Sequence, residues 1–268
     1  MAASPAPPSR PVALVTGASS GIGLELARLC AKGGHDLLLV ARNEGKLQEL
    51  ARYLGGMYRV RVEVVPADLA DPAAPEAIMT RATELGLGVD VLINNAGFGD
   101  WGLFGRADPR RQLDILQVNA VALTHLTRLA LPRMVSQRRG RILNVASTAG
   151  FVPGPLMAVY HASKAYVISF SQAIGNELRG TGVTVTALCP GPTKTAFAER
   201  AGMVGTNLLE GPNVMAVEPV AAAGYRGMMR GKSIVVPGLM NKLLVMSLRL
   251  VPRRLVLALA RKYLERRG

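Results

Sequence analysis

Short apolar runs alternate with longer stretches of helical period from residue 11 to residue 238. "PVALVTG" (11–17) is β-branched and ends on glycine, and "ASSGIGLELARLCAKGG" after it has helical periodicity and a Gly-Gly stop. "DLLLVAR" (36–42) predicts a buried strand, and "NEGKLQELARYLGG" a helix with its charges on the exposed face. "RVEVVPADL" (61–69) predicts a third strand, followed by "DPAAPEAIMTRATELG", a helix opening on an Asp cap. "VDVLINNAG" (89–97) is a fourth, "LDILQVNAVALTHLTRLALPRMV" a long helical stretch, and "GRILNVAS" (140–147) a fifth. A helix through "AVYHASKAYV" (158–167) leads to "VTVTALCPG" (183–191), and "KSIVVPG" (232–238) predicts a seventh strand.

Strands separated by such helices require right-handed crossovers and a parallel sheet covered on both faces. The pattern therefore predicts an α/β fold, a Rossmann-like doubly wound parallel sheet of about seven strands over residues 12–238. A Pro- and Ser-rich leader (1–11) precedes it, without the apolar run of a signal peptide, and a helical extension (239–268) follows.

Composition changes this picture in two respects. Cys30 and Cys189 are the only cysteines and lack metal-ligand spacing. They argue against a disulfide framework or a metal site and predict buried, inert thiols in a reducing, cytoplasmic setting. No apolar run reaches the roughly 18 residues of a membrane span. The net charge of +14 is concentrated at the end of the chain, where Lys242, Arg249, Arg253, Arg254, Arg261, Lys262, Arg266 and Arg267 face Glu265 alone.

In a doubly wound sheet the first strand-to-helix turn is the phosphate site. Here it is "TGASSGIG". Gly17 can take backbone angles closed to other residues, Gly21 leaves room for a pyrophosphate, and Gly23 lets the helix pack closely on the sheet. The helix N-terminus offers free N–H groups and positive dipole to the phosphates. The second strand ends in Ala41-Arg42 instead of the acidic residue that holds the ribose diol of NAD. A guanidinium there favours NADP(H) over NAD(H), unless Arg42 is simply a solvated strand end. Asp68, at the end of the third strand, is placed either at the adenine edge or as a helix cap, a role Asp71 could also fill.

Tyr160 and Lys164 share one helix face by their i, i+4 spacing, which by itself is as much helix surface as chemistry. Asn119 lies in the helix after the fourth strand and Ser147 ends the fifth, at the same sheet edge. A tyrosine donates a proton readily but is a poor base, with a pKa of about 10. Lowering that by about three units needs about 4 kcal/mol. One ammonium about 4 Å away at an effective dielectric near 20 supplies that much.

Together, "TGASSGIG", "NNAG" (94–97), Asn119, Ser147, "YHASK" (160–164) and "PGPTKT" (190–195) resemble the short-chain dehydrogenase/reductase family, over residues 12–238. The resemblance implies that Tyr160 is the general acid/base and that Ser147 hydrogen-bonds the substrate oxygen. Lys164 would hold the nicotinamide ribose and tune Tyr160. Asn119 would distort its helix and hold a proton-relaying water. Cofactor contacts would come from Gly17, Ser19, Ser20, Gly21, Ile22 and Gly23, from Asp68 and Leu69, and from Asn95, Ala96 and Gly97 at the adenosine ribose. Pro190, Gly191 and Thr193 would hold the carboxamide. A homo-dimer or homo-tetramer is implied as well.

The small-molecule carbonyl or alcohol substrate would be lined by Phe98, Trp101, Phe151 and Met157, with residues 195–217 as a lid. These side chains are apolar and offer no basic anchor, which favours a lipophilic carbonyl. The extension reads as two amphipathic helices broken near Pro252, to be buried on the parent domain, on a second subunit or, as peripheral contact, on an anionic membrane. No aromatic stacking platform accompanies the basic residues, which speaks against nucleic acid.

Overall fold

The seven apolar runs form strands β1 (Val12–Thr16), β2 (Asp36–Ala41), β3 (Val62–Pro66), β4 (Val89–Asn94), β5 (Gly140–Val145), β6 (Val183–Leu188) and β7 (Ile234–Val235). They are seen in a computed structural model that describes residues 10–208, 213–248 and 250–266. All pair in parallel, in the order β3-β2-β1-β4-β5-β6-β7. The strand order reverses between β1 and β4, which opens a crevice at their carboxyl ends. Every residue of β1 and β4 is buried, as expected of strands with helices on both faces.

Alternate side chains of each strand feed two cores. On one face Val15, Leu37, Leu39, Ile93 and Leu143 pack with α1 (Gly21–Lys32), α2 (Glu44–Tyr58) and α8 (Val217–Met229). On the other, Leu14, Leu38, Leu92, Ile142 and Val185 meet α3 (Ala74–Glu84), α5 (Leu123–Ser136) and the end of α6 (Ala158–Glu177). The remaining helices are α4 (Pro109–Leu116), the single turn α7 (Phe197–Arg200), α9 (Leu239–Ser247) and α10 (Arg253–Leu264). Pro252 separates the last two, at the N-cap of α10. Residues 1–9 of the leader, 209–212 of the anticipated lid, and Arg249 and Arg267 of the basic extension lie outside the described residues.

Three local details differ from the sequence expectations or add to them. Helix α2 continues through Gly55-Gly56 and stops at Arg59, whose φ of 53° is left-handed and whose N–H donates to the Gly55 carbonyl. Burial of Leu54 outweighs a glycine penalty of about 1 kcal/mol per residue. Neither Asp68 nor Asp71 caps α3: each accepts from the backbone N–H two residues on, at 3.0 and 2.9 Å, in turns before the helix. The long stretch around Asn119 is interrupted between α4 and α5 by a π-helical segment, Gln117–Ala122.

Near the carboxyl edge a buried polar chain ties the layers together. The Asn94 amide donates to Thr127 Oγ1 of α5 (3.1 Å) and to Asn144 Oδ1 of β5 (2.9 Å). Asn144 in turn donates to Ser171 Oγ of α6 at 2.9 Å. Asn144→Ala removes the shared link and leaves buried partners unpaired, so roughly 2–3 kcal/mol of stability should be lost. Urea unfolding followed by circular dichroism measures this; an unchanged midpoint would show that the chain contributes nothing.

Candidate active site

The turn from β1 into α1 has Gly17 at φ 65° and Gly21 at φ 58°. Its glycines also make room for the end of β4. A Cβ on Gly17 would lie 2.6 Å, and one on Gly23 2.3 Å, from Asn95 Nδ2. That amide donates to the carbonyls of Thr16 (2.9 Å) and Gly17 (3.2 Å), while Thr16 Oγ1 accepts from the backbone N–H groups of Asn95 and Ala96. The Asn95 side chain therefore braces the turn. Ser20 occupies the N-cap of α1, yet its side chain makes no capping bond, and the first turn holds no acidic residue. Together with the half-buried Ser19 and Ile22, this leaves a helix end open to an anion.

Arg42 and Asp68 stand at the carboxyl ends of β2 and β3, with Arg42 Nη1 3.7 Å from Asp68 Oδ2 and both side chains largely exposed. A pair of this kind holds each partner weakly, so Arg42 remains free to meet a phosphate. Leu69, which follows Asp68, is buried as part of the core on the α3–α5 face of the sheet.

Ser147 lies two residues past β5, in extended conformation, and caps the 3-10 turn Thr148–Phe151. Its Oγ accepts from Ala149 N (3.1 Å) and donates to the Pro190 carbonyl (3.4 Å), which also accepts from Thr148 N (2.9 Å). Gly191, next along, fits against Asn241: a Cβ there would be 2.5 Å from Asn241 Oδ1. Thr193 Oγ1 donates to the Gly191 carbonyl at 2.9 Å.

One helical turn apart on α6, Tyr160 and Lys164 are brought to the same edge. The Lys164 ammonium is buried and donates to the Val145 carbonyl at 2.8 Å; Nζ lies 5.8 Å from the centre of the Tyr160 ring. The space beside Gly97 is shared, since a Cβ there would be 3.0 Å from Asn119 Oδ1 and 3.3 Å from Lys164 Nζ. Asn119 sits in the π-helical segment, as its expected distortion required. Its side-chain amide is fully engaged: Oδ1 accepts from Phe98 N, and Nδ2 donates to the Phe98 carbonyl and to Ser163 Oγ. Ser163, which the sequence reading passed over, donates onward to the Tyr160 carbonyl at 2.7 Å. The amide is thus a brace between the loop after β4 and α6.

The electrostatics correct one expectation. Burial pushes the Tyr160 hydroxyl up to about 12, with a hydrogen bond to Ser147 opposing the rise. Burial also brings the Lys164 ammonium down to about 8. Desolvation disfavours both charged forms, and it outweighs the lowering of Tyr160 that an adjacent ammonium was expected to give. Both cysteine thiols are buried, free and pushed up to about 12, Cys30 by burial alone and Cys189 by burial against the opposing charge of Lys164.

The four anticipated lining residues divide. Met157 and Trp101 gather with Tyr160, Phe197, Ala201 and Met203 around one apolar cluster. Phe98 packs instead towards the α3–α5 core, under the Arg111 guanidinium, and Phe151 packs with Val167 and Ile168 of α6. Each ring closes its own loop, where apolar area is buried more completely than in an open cleft. Phe197 of α7 was not singled out from the sequence; its ring lies 5.1 Å from that of Tyr160. Gly99 was missed as well: a Cβ there would lie 2.8 Å from Met157 and 3.2 Å from the Tyr160 ring. Close packing against an aromatic ring leaves no mark in a single sequence.

The segment carrying α7 spans both halves of the site. The Thr195 methyl would be 3.2 Å from a Cβ on Gly21, and Arg200 donates to Ser20 Oγ at 3.4 Å. The end of the chain closes over this segment. Trp101 Nε1 donates to the Leu264 carbonyl at 2.7 Å, and Asn207 N and Leu208 N donate to the carbonyls of Glu265 and Tyr263.

An arrangement of this kind belongs to oxidoreductases that bind a nicotinamide dinucleotide at the switch point of the sheet and move a proton beside it. Residues 11–203 match the family model described as short chain dehydrogenase. The candidate ketoacyl reductase 1 of the granaticin polyketide synthase from Streptomyces violaceoruber is 40% identical over 201 residues, 74% of this chain and 73% of that protein. The 3-oxoacyl-[acyl-carrier-protein] reductase FabG of Vibrio cholerae is 35% identical over 184 residues, 69% of this chain and 74% of that protein. A short-chain dehydrogenase from Sphingobium yanoikuyae, solved in complex with NADPH, superposes with a TM-score of 0.80 at 36% identity, covering 88% of this chain and 92% of that one. The chain belongs to the short chain dehydrogenase family, and it is an oxidoreductase of the carbonyl-reducing kind that uses a nicotinamide dinucleotide.

The depressed Lys164 value has a sign that can be checked. The lysine is worse off charged in the folded state, so its penalty is fully present below about pH 8 and is relieved as pH rises towards the unfolded value of 10.5. Relative to Lys164→Met, the parent should therefore gain on the order of 3 kcal/mol between pH 7 and pH 10.5. Denaturant unfolding of both proteins across that range tests this. A constant difference would mean that the ammonium is not desolvated.

Proposed function

We propose that the protein is an NADPH-dependent reductase of a lipophilic ketone, aldehyde or acyl-type carbonyl, with Tyr160 as proton donor and the reverse oxidation open to it. The observation that carries this reading is the meeting of Tyr160, Ser147 and Lys164 at the sheet edge that also bears the open N-terminus of α1. The bound dinucleotide supplies the hydride. Ser147 orients the carbonyl oxygen by hydrogen bonding, and Tyr160 delivers the proton that the developing alkoxide requires.

Tyr160 is protonated at neutral pH, as a proton donor for reduction must be. Lys164, held beside Gly97, would bind ribose hydroxyls with the donors that Val145 leaves free. In its charged form it biases Tyr160 towards phenolate for the reverse direction. The backbone of Asn119, displaced by the π-helical turn, would seat the water through which Lys164 exchanges protons with solvent. Gly17, Ser19, Ser20, Gly21, Ile22 and Gly23 would cradle the pyrophosphate. The main chain around Asp68, Leu69, Asn95, Ala96 and Gly97 would face the adenosine, and Pro190, Gly191 and Thr193 the carboxamide. Arg42 would take the ribose 2′-phosphate, breaking its weak pairing with Asp68.

The apolar wall formed by Trp101, Met157, Phe197 and Met203 supports a lipophilic substrate, and relatives named as ketoacyl reductases support an acyl chain. Exposed apolar side chains at Leu113, Leu116, Val121 and Tyr166 offer a homo-dimer or homo-tetramer a face on α4, the π-helical segment and α6. No helix of the described residues is long and apolar enough to cross a membrane, and the two free thiols fit a cytoplasmic setting.

NADPH oxidation against a panel of medium-chain ketones, aldehydes and 3-oxoacyl thioesters should fall at least about a hundredfold in Tyr160→Phe, with NADPH affinity retained. Turnover that survives in this variant would remove Tyr160 as the acid. Arg42→Ala should weaken NADPH at least about tenfold and leave NADH almost unchanged. Equal losses for both dinucleotides, measured by titration, would show that Arg42 is not the phosphate ligand.

A further inference from the structure

Helix α9 is apolar on the side that faces away from the protein. Its inward residues are Asn241 and Val245, while Leu239, Leu243 and Met246 follow at i, i+4 and i+7 on the opposite face. Those three side chains are 73%, 52% and 67% exposed, and Leu250, past the end of the helix, is 88% exposed. The stripe runs about 10 Å along the helix axis. The helix cannot roll to bury it, because Asn241 is buried against Gly191 and donates to the Pro237 carbonyl at 2.9 Å.

Charge decides what covers this face. Lys242 borders the stripe, and Arg253, Arg254 and Lys262 follow on α10, all exposed and without an acidic partner among the described residues. The one acidic residue of this stretch, Glu265, is taken by Arg261 at 2.6 Å. A second copy docked on the same stripe would bring its own cations towards these. A surface apolar in depth and negative at its boundary satisfies both features.

We propose that the outward face of α9 and the start of α10 dock the protein on an anionic lipid bilayer. The leucine and methionine stripe sinks to the acyl boundary and the basic side chains lie among the headgroups. The contact is peripheral and falls with salt. A cavity of about 500 Å³ lies at the other end of α10, lined by Arg261, Glu265 and Arg266 with Trp101, Leu103 and Leu156.

Co-sedimentation of the full chain with vesicles tests this, comparing pure phosphatidylcholine with phosphatidylcholine containing about 30% phosphatidylglycerol. Binding should require the anionic lipid. It should fall about tenfold or more in Leu243→Glu/Met246→Glu and likewise in Arg253→Glu/Arg254→Glu. These side chains are exposed, so the thermal midpoint of each variant should match the parent's and show that folding is intact. Parent protein that ignores anionic vesicles, or stripe variants that bind as well as the parent, would overturn the proposal. So would stripe variants that dissociate an oligomer in light scattering when the parent does not bind vesicles, since that result makes a second copy the occupant.

Discussion

Lys164 brings an ammonium to a depth where little water reaches it and leaves it one protein acceptor, the Val145 carbonyl at 2.8 Å. A buried charge is costly unless its acceptors are held in good geometry, and several contacts of the site fix the backbone around this one. Gly150 packs directly on the Lys164 backbone, since a Cβ there would come within 2.7 Å of its carbonyl. Gly97 leaves the space into which the ammonium points. The Asn119–Ser163 link holds the first turn of α6 against the loop after β4, and the Asn94–Asn144–Ser171 chain holds the middle of the helix against the sheet. Tyr160 is placed by the helix that Lys164 anchors, and desolvation is the first cause both of its reluctance to ionise and of the depressed lysine.

The architecture was legible because strands buried on two faces leave nearly continuous aliphatic runs, and glycine turns and caps mark where they end. The order of the motifs along the chain brought Gly17, Asn119, Ser147, Tyr160 and Lys164 to one edge without reference to coordinates. What escaped the sequence is contact between segments distant along the chain. Nothing local distinguishes Phe98 and Phe151, which close loops, from Phe197, which lies beside Tyr160. The sequence set Asn95 at the adenosine ribose and Asn119 beside a proton-relaying water, but did not show that their amides brace the loop after β4, because an asparagine's partners are set by the fold. The sign of the Tyr160 shift was misjudged for a related reason: spacing reveals an approaching charge but not the loss of solvent that accompanies it.

The relation of the segment around α7 to the extension was equally hidden. Composition marked residues 239–268 as basic and amphipathic but left their partner open. In the structure the extension divides its contacts, with buried Leu264 in the Met157–Met203 cluster and Asn241 beside Gly191, while the leucine stripe of α9 faces outward. The same thirty residues thus complete the wall around Tyr160 and carry an uncovered apolar surface.

The indole of Trp101 and the carbonyl of Leu264 are 163 positions apart along the chain. The bond joins a loop and the end of α10, which only the finished fold brings together, so the loop-closure entropy it costs has to be offset by the contacts of the sheet and helices between them.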